Sequence, residues 1–115
     1  MGSYQRTKGH NFERELAQKF RDHGYKDAGR NLEYQIENCQ GVDLNGTWPY
    51  KVQAKCSAKV PNMPQVFKEF TALKADDVPV VMFKVTNKGE YACLRLEDLL
   101  ALIRRSEYDS KDAAV

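Results

Sequence analysis

Residues 78–85 read VPVVMFKV, a nearly unbroken apolar run in which Lys84 is the one charged side chain. An apolar stretch of this length between polar flanks is typical of a strand that is buried on both faces, as in sheets that helices cover. The run therefore predicts a strand that is buried on both faces in an α/β fold.

The segments after this strand predict a return strand and a closing helix. Residues 87–89 (NKG) are a turn signal, and residues 90–94 fit a second strand. We expect residues 106–115 to be a disordered acidic tail, so that residues 1–105 form a single domain. The apolar positions of the closing helix recur at i, i+3, i+4 and i+7 and are Leu96, Leu99, Leu100 and Ile103.

The segment before the apolar strand at residues 78–85 predicts a crossover helix. Pro64 suits the first turn of a helix, because a first-turn N–H has no partner within the helix. Val66, Phe70 and Leu73, with Phe67 beside them, give this helix an apolar stripe. Phe67 and Phe70 fit either the core or a subunit interface.

Residues 41–55, GVDLNGTWPYKVQAK, predict a hairpin. The pair Asn45-Gly46 is a favoured two-residue turn, and it would join residues 42–44 to a strand over residues 50–56. Because side chains alternate along a strand, Gln53 and Lys55 share one face and Ala54 lies on the other.

The beginning of the chain predicts a basic arm and a helix. We expect residues 1–9 to be mobile and residues 10–23 to be helical, ending at Gly24. Residues 29–37 are a further strand candidate. The helix stripe is Phe12, Leu16, Ala17 and Phe20. The predicted order is α–β–β–β–α–β–β–α, a mixed sheet flanked by helices.

Composition narrows the class of protein. The chain has 115 residues, enough for one domain, and no apolar run approaches the roughly 20 residues that span a bilayer. Three cysteines without a CxxC pair argue against disulfides or a zinc site. We therefore expect an intracellular, cytoplasmic protein without a membrane partner.

The charge distribution is compatible with a phosphate-binding surface. The net charge is +2, and basic residues concentrate before position 31. A solvated face of mixed charge explains the same pattern as well. The basic residues are Arg6, Lys8, Arg14, Lys19, Arg21, Lys26 and Arg30.

Asp43, Gln53, Ala54 and Lys55 form a candidate metal site. On neighbouring strands, the Asp43 carboxylate, the Gln53 amide oxygen and the Ala54 carbonyl would offer the oxygen ligands that Mg²⁺ prefers. Lys55 would orient an attacking water or neutralise charge on a phosphate. The pattern is short, and an Asp near a turn and a Lys on an edge strand also serve solubility alone.

Glu13 and Lys84 are two further charged residues beside predicted apolar surfaces. Glu13 borders the apolar stripe of the first helix, where a carboxylate needs a partner. That partner would be a metal or an active-site lysine; alternatively Glu13 lies at the rim in solvent or pairs with Arg14. Lys84 would either extend to water or reach a phosphate near the site, and Arg30 is a similar phosphate candidate.

These motifs together resemble the archaeal-type Holliday-junction resolvases of the PD-(D/E)xK nuclease superfamily, including phage-encoded relatives. The segment KGHNFERELAQKFRDHGY resembles the first helix of that family, GVDL its metal-binding strand, KVQAK its ExK strand, and VPVVMFKV the strand whose lysine approaches DNA. The order and spacing of the motifs carry this resemblance over most of residues 6–104.

The resemblance implies a restriction-endonuclease-like fold and a Mg²⁺-dependent endodeoxyribonuclease, with Mn²⁺ as a substitute. It implies a homodimer that makes paired nicks in a four-way DNA junction, leaving 5′-phosphates. Its implied catalytic residues are Glu13, Asp43, Gln53 and Lys55. Its implied metal ligands are Asp43, Gln53, Ala54 and Glu13. Its implied DNA contacts are Arg14, Arg30, Lys84 and Lys8.

The chain departs from this family in two places. Gln53 stands where the family usually has glutamate, which keeps an oxygen but loses a charge, and Glu13 or Glu37 would have to compensate. Residues 31–40 form an unusually long link. The alternatives are a duplex or restriction-like nuclease of the same superfamily, a catalytically inactive DNA-binding protein, and a small regulatory α/β protein.

Overall fold

A computed structural model describes the backbone of residues 2–31 and 41–114, and the side chains of residues 7–31 and 41–106. The fold is α/β, as predicted. The helices are α1 (Gly2–Asp22), α2 (Met63–Phe67) and α3 (Leu96–Ala114). The strands are β1 (Gly29–Arg30), β2 (Leu44–Asn45), β3 (Tyr50–Ser57), β4 (Val78–Val85) and β5 (Gly89–Leu94).

The larger sheet is mixed and has the strand order β3–β4–β5. Strands β3 and β4 are parallel, with Gln53 opposite Val81, and α2 lies in the crossover that a parallel pair requires. Strand β5 returns antiparallel to β4, with Val81 opposite Cys93. Among these strands β4 is the central one, and residues on both of its faces are buried, which confirms the prediction from its apolar run.

Two apolar clusters cover the two faces of this sheet. Alternation along β3 sends Val52 to the face of α1, while Val81 of β4 lies on the face of α2. The cluster on the α1 face consists of Phe12, Leu16, Ala17, Leu44 and Val52. The cluster on the α2 face consists of Val66, Phe70, Val81, Phe83 and Val85.

The predicted hairpin across Asn45-Gly46 is wrong. Strand β2 forms a separate antiparallel pair with β1, in which Arg30 lies opposite Leu44. The link from β2 to β3 consists of residues 46–49 and is therefore longer than a two-residue turn. Within it Thr47 is buried, and its hydroxyl donates to the Tyr50 carbonyl at 2.7 Å. Just before β2, Asp43 N donates to the Val52 carbonyl of β3 at 2.8 Å.

Helix α1 begins earlier than predicted. It starts at Gly2, so residues 2–9 belong to the helix rather than to a mobile arm. These residues contain no proline, and Lys8 Nζ donates to Thr86 Oγ1 at 2.8 Å just beyond the end of β4. This contact fixes the first turns of α1 against the sheet. Gly24 has a φ of 103° and follows the end of the helix, as predicted.

Helix α2 is shorter than its apolar stripe suggested. Asn62 caps its first turn by accepting from Gln65 N, and the helix ends at Phe67. Phe70 is still buried, because the chain beyond the helix returns to the sheet, whereas Leu73 is exposed. Phe70 is therefore a core residue, and its alternative use at an interface is ruled out.

Helix α3 is longer than predicted. It continues to Ala114, so residues 106–114 are helical rather than a disordered tail, and no glycine or proline interrupts them. The apolar positions that recur along this helix are exposed, and they are Leu96, Leu99, Leu100 and Ile103.

The strand candidate at residues 29–37 is described only at its beginning, where it forms β1. From position 32 it lies outside the described residues, and so does Cys39. Cys56 and Cys93 are free thiols. Within the described residues, no helix is both long enough and apolar enough to cross a membrane.

Gly46 should be required by the turn that leads into β3. Its φ is 72°, and a Cβ there would overlap the carbonyl group of Asp27. We expect Gly46→Ala to lower the free energy of unfolding by about 1–3 kcal/mol, measured by urea denaturation. Gly9→Ala is the matched control, because a Cβ at Gly9 meets nothing within 4 Å. Equal stability of the two variants would contradict this account of the turn.

Candidate active site

The candidate site lies at the outer edge of β3. Asp43 N donates to the Val52 carbonyl at 2.8 Å, and Ala54 N donates to Asp43 Oδ2 at 2.7 Å. In an extended strand the N–H and C=O of one residue point to the same side, so the Ala54 carbonyl faces the edge where Asp43 lies. The structure thus brings together two of the predicted oxygen donors, the Asp43 carboxylate and the Ala54 carbonyl.

The Asp43 carboxylate is held in a largely buried position. Burial raises the pKa of Asp43 above its ordinary value, while the hydrogen bond from Ala54 and the charge of Lys55 act in the opposite direction. Glu69 raises the pKa of Asp43 further, and Arg30 lowers it. Asp43 therefore lies within the electrostatic reach of the cations Lys55 and Arg30 and of the acids Glu69 and Glu13.

Glu13 reaches the same region from α1. It forms an ion pair with Arg30, with Nε and Oε2 3.5 Å apart and both side chains only 13–14% exposed. Burial raises the pKa of Glu13, the nearby Asp43 raises it further, and Arg30 opposes both. The partner of Glu13 is thus Arg30 on β1, rather than the Arg14 or lysine suggested by the sequence.

The pair between Glu13 and Arg30 leaves bonding capacity unused. Neither Glu13 Oε2 nor Arg30 Nε forms a hydrogen bond with a described residue, although both atoms are buried. Buried polar atoms are usually hydrogen-bonded, and leaving one unpaired costs stability. An additional ligand at this position would satisfy them.

Gln53 is buried on the face of the sheet that α2 covers. Its Nε2 donates to the Gly41 carbonyl at 3.0 Å and to Glu69 Oε1 at 3.4 Å. Both partners are acceptors, so the amide nitrogen must face them. Gln53 Oε1 is then left buried and without a partner among the described residues. It is the oxygen that the sequence analysis proposed as a metal ligand.

Lys55 lies two residues further along β3 on the same face. Its Nζ is 3.3 Å from Glu69 Oε1, and both side chains are partly exposed. Glu69 therefore contacts both Gln53 and Lys55, yet the sequence analysis did not single it out. A signal was present: Glu69 precedes the core residue Phe70, just as Glu13 follows the core residue Phe12.

The four candidate DNA contacts fall into two groups. Arg30 and Arg14 both act electrostatically on Glu13, and Arg14 also donates to Asn11 Oδ1 at 2.9 Å. Lys84 is opposite Cys56 in the sheet register, which places it on the α1 face, whereas Lys55 lies on the other face. Lys8 binds Thr86 near the same end of β4. The structure does not bring Lys8 and Lys84 together with Lys55.

The donors at this edge suit a hard cation. Two carboxylates, an amide oxygen and a backbone carbonyl are the ligand types that Mg²⁺ takes, and Mg²⁺ usually keeps several waters as well. The unpartnered Gln53 Oε1 fits this use, as does Glu13 Oε2, which has an ion pair with Arg30 but no hydrogen bond to a described residue. In the described part of the chain, no three His, Cys, Asp or Glu side chains could hold a metal ion by themselves. Glu37, the other predicted compensating acid, lies outside the described residues.

Comparisons with protein-family models, with curated proteins and with solved structures find no match to the chain.

Asp43→Asn should stabilise the metal-free protein at neutral pH. An acid with a raised pKa adds stability that is present at low pH and is lost as pH rises through the pKa of the folded state. Removing the charge should therefore raise the melting temperature by a few degrees at about pH 8 and by less near pH 4, measured in EDTA.

The matched control for this comparison is Asp76→Asn, because Asp76 is exposed. We expect Asp76→Asn to leave the melting temperature unchanged at both pH values. A stabilisation by Asp43→Asn that grows towards acid pH would overturn the assignment of a burial cost to the Asp43 carboxylate.

Proposed function

We propose that this protein is a metal-dependent endodeoxyribonuclease with a restriction-endonuclease-like fold, and that its substrate is branched DNA, specifically the four-way Holliday junction. One observation carries the proposal. A partly buried aspartate is bound to the edge of β3, with a lysine, an unpartnered amide oxygen and a second partly buried carboxylate close by.

The residues that would hold the cation are Asp43, Gln53 through Oε1 and Ala54 through its carbonyl, with Glu13 beside them in its pair with Arg30. Mg²⁺, or Mn²⁺ in its place, would lower the pKa of a bound water and stabilise charge on the phosphate. The burial that raises the pKa of Asp43 and Glu13 supports this role, since two acids this close favour a cation between them.

The other side chains have separate tasks in this proposal. Lys55, held by Glu69, would orient the attacking water or stabilise negative charge on the phosphate. Arg30 balances the charge of Glu13 and is close to Asp43, so it would help to hold a phosphate there. Arg14, Lys8 and Lys84 would contact phosphates further away, which positions DNA without reading its sequence.

The proposal includes a homodimer, because two symmetric sites suit the paired nicks of a junction resolvase. We place the interface on α3, whose exposed apolar side chains occupy one face over two turns. An isolated exposed leucine is ordinary, but a continuous stripe indicates a binding surface. The stripe, which we call the α3 stripe, consists of Leu96, Leu99, Leu100 and Ile103, which are 42–70% exposed.

Charges beside the α3 stripe favour a second copy of this chain in antiparallel orientation. Glu97 and Arg104 are seven residues apart, close to two helical turns, so both flank the stripe on the same side. In an antiparallel pair this side of one helix faces the same side of the other, which brings Glu97 against Arg104 of the second copy twice. Arg95 binds Asp98 at 2.7 Å and approaches Glu97 only to 3.9 Å, so Glu97 can take another partner.

Substitutions on α3 should dissociate the dimer. We expect Leu100→Glu to yield a monomer, and Glu97→Arg or Arg104→Glu alone to raise the dissociation constant at least about tenfold. The double charge exchange should restore association. Sedimentation equilibrium provides the measurement, and Val60→Glu is the matched control because Val60 is also exposed. A monomeric wild type, or a dimer that none of these changes affects, would refute this interface.

Cleavage assays with labelled four-way junctions and matching linear duplexes test the function. With Mg²⁺ we expect paired nicks in the junction, no cutting in EDTA, and a loss of at least about 100-fold for Asp43→Asn and for Lys55→Ala. Lys74→Ala and Asp76→Asn are the matched controls, since both side chains are exposed.

The remaining outcomes identify the alternatives. Equal cutting of duplex and junction would favour a restriction-like nuclease of the same superfamily. Junction binding without cutting in either Mg²⁺ or Mn²⁺ would favour the inactive DNA-binding protein, for which Gln53 is the main argument. Neither binding nor cutting would leave a regulatory α/β protein.

A further inference from the structure

We propose that Glu69 supplies the negative charge that Gln53 leaves out of the cation site, so that Asp43 and a carboxylate after α2 bind the cation while Glu13 stays paired with Arg30. The proposal rests on the function proposed above, and it names a ligand that the motifs of residues 41–55 do not contain.

The orientation of the Gln53 amide supports this role of Glu69. Nε2 lies between two acceptors, the Gly41 carbonyl and Glu69 Oε1. A glutamate at position 53 would place a carboxylate against both acceptors, losing two hydrogen bonds and adding like-charge repulsion with Glu69. Glutamine is therefore the residue that fits beside Glu69, and the two side chains form a matched pair.

The backbone also fixes Glu69 at this position. Glu69 N donates to the Val66 carbonyl at 2.9 Å, and Val66 and Phe70 on either side are core residues. Gly41 packs so closely that a Cβ there would overlap the Glu69 carbonyl oxygen. The segment before Asp43 and the segment after α2 thus hold each other in place.

The bonding state of the Glu69 carboxylate also supports its role as a ligand. Gln53 and Lys55 both donate to Oε1, and no described residue bonds to Oε2. The side chain is 44% exposed, and an ion pair at this exposure contributes little stability. Glu69 is also close enough to Asp43 to act on it electrostatically. One carboxylate oxygen is therefore accessible at the rim of the buried Gln53, whose Oε1 has no partner.

Binding of Mn²⁺ without DNA, followed by electron paramagnetic resonance or calorimetry, provides the test. We expect Glu69→Gln to weaken Mn²⁺ binding at least about tenfold, since a carboxylate ligand is lost. Gln53→Glu alone should lower the melting temperature and should not tighten binding. The double variant Gln53→Glu with Glu69→Gln should recover binding, because it exchanges the carboxylate and the amide. Glu90→Gln is the matched control, as Glu90 is exposed.

Each outcome of this experiment is informative. If Asp43→Asn abolishes Mn²⁺ binding while Glu69→Gln leaves it unchanged, the assignment of Glu69 fails and the proposed function stands. If Glu69→Gln reduces junction cleavage but not Mn²⁺ affinity, Glu69 only holds Lys55, and the proposal is again overturned. If the wild type binds Mn²⁺ no better than Asp43→Asn, the cation site itself is refuted, and Glu69 with it.

Discussion

The attachment of Asp43 to the edge of β3 is the constraint on which the site depends. One residue forms two bonds to the strand, from its backbone N–H to Val52 and through its carboxylate to the N–H of Ala54. An open strand edge exposes unpaired backbone groups, and these bonds satisfy two of them. They also hold a carboxylate where burial opposes its charge. Proteins tolerate such local costs where the group has a function.

The sequence predicted those parts of the fold that local periodicity determines. The apolar run of β4 and the alternation of Val52, Gln53 and Lys55 along β3 depend on neighbours in sequence, and both predictions are confirmed. Helix ends and the pairing of β2 were predicted incorrectly. They depend on contacts between distant residues, such as Lys8 with Thr86, which no local pattern contains.

In the candidate site, too, only the features that depend on neighbours in sequence could be predicted. Asp43, Ala54 and Lys55 could be grouped because a short link joins their segments. The partners of Glu13 and Gln53 could not be identified, because Arg30 is 17 positions from Glu13 and Glu69 is 16 positions from Gln53. Glu69 also lies after α2 in an irregular segment, where periodicity gives no direction to a side chain. The approach of Gly41 that positions it is visible only in the folded chain.

Charge balance gives a physical reason for glutamine at position 53. At this edge the three acids Asp43, Glu13 and Glu69 are already matched in number by the cations Lys55, Arg30 and Arg14. A fourth carboxylate at position 53 would add repulsion next to Glu69 and would raise the cost of the metal-free state. On the proposed function, the departure from the family pattern is then a relocation of one carboxylate from β3 to the segment after α2. A bound cation would offset the cost of burying these carboxylates, which couples occupancy of the site to the stability of the fold.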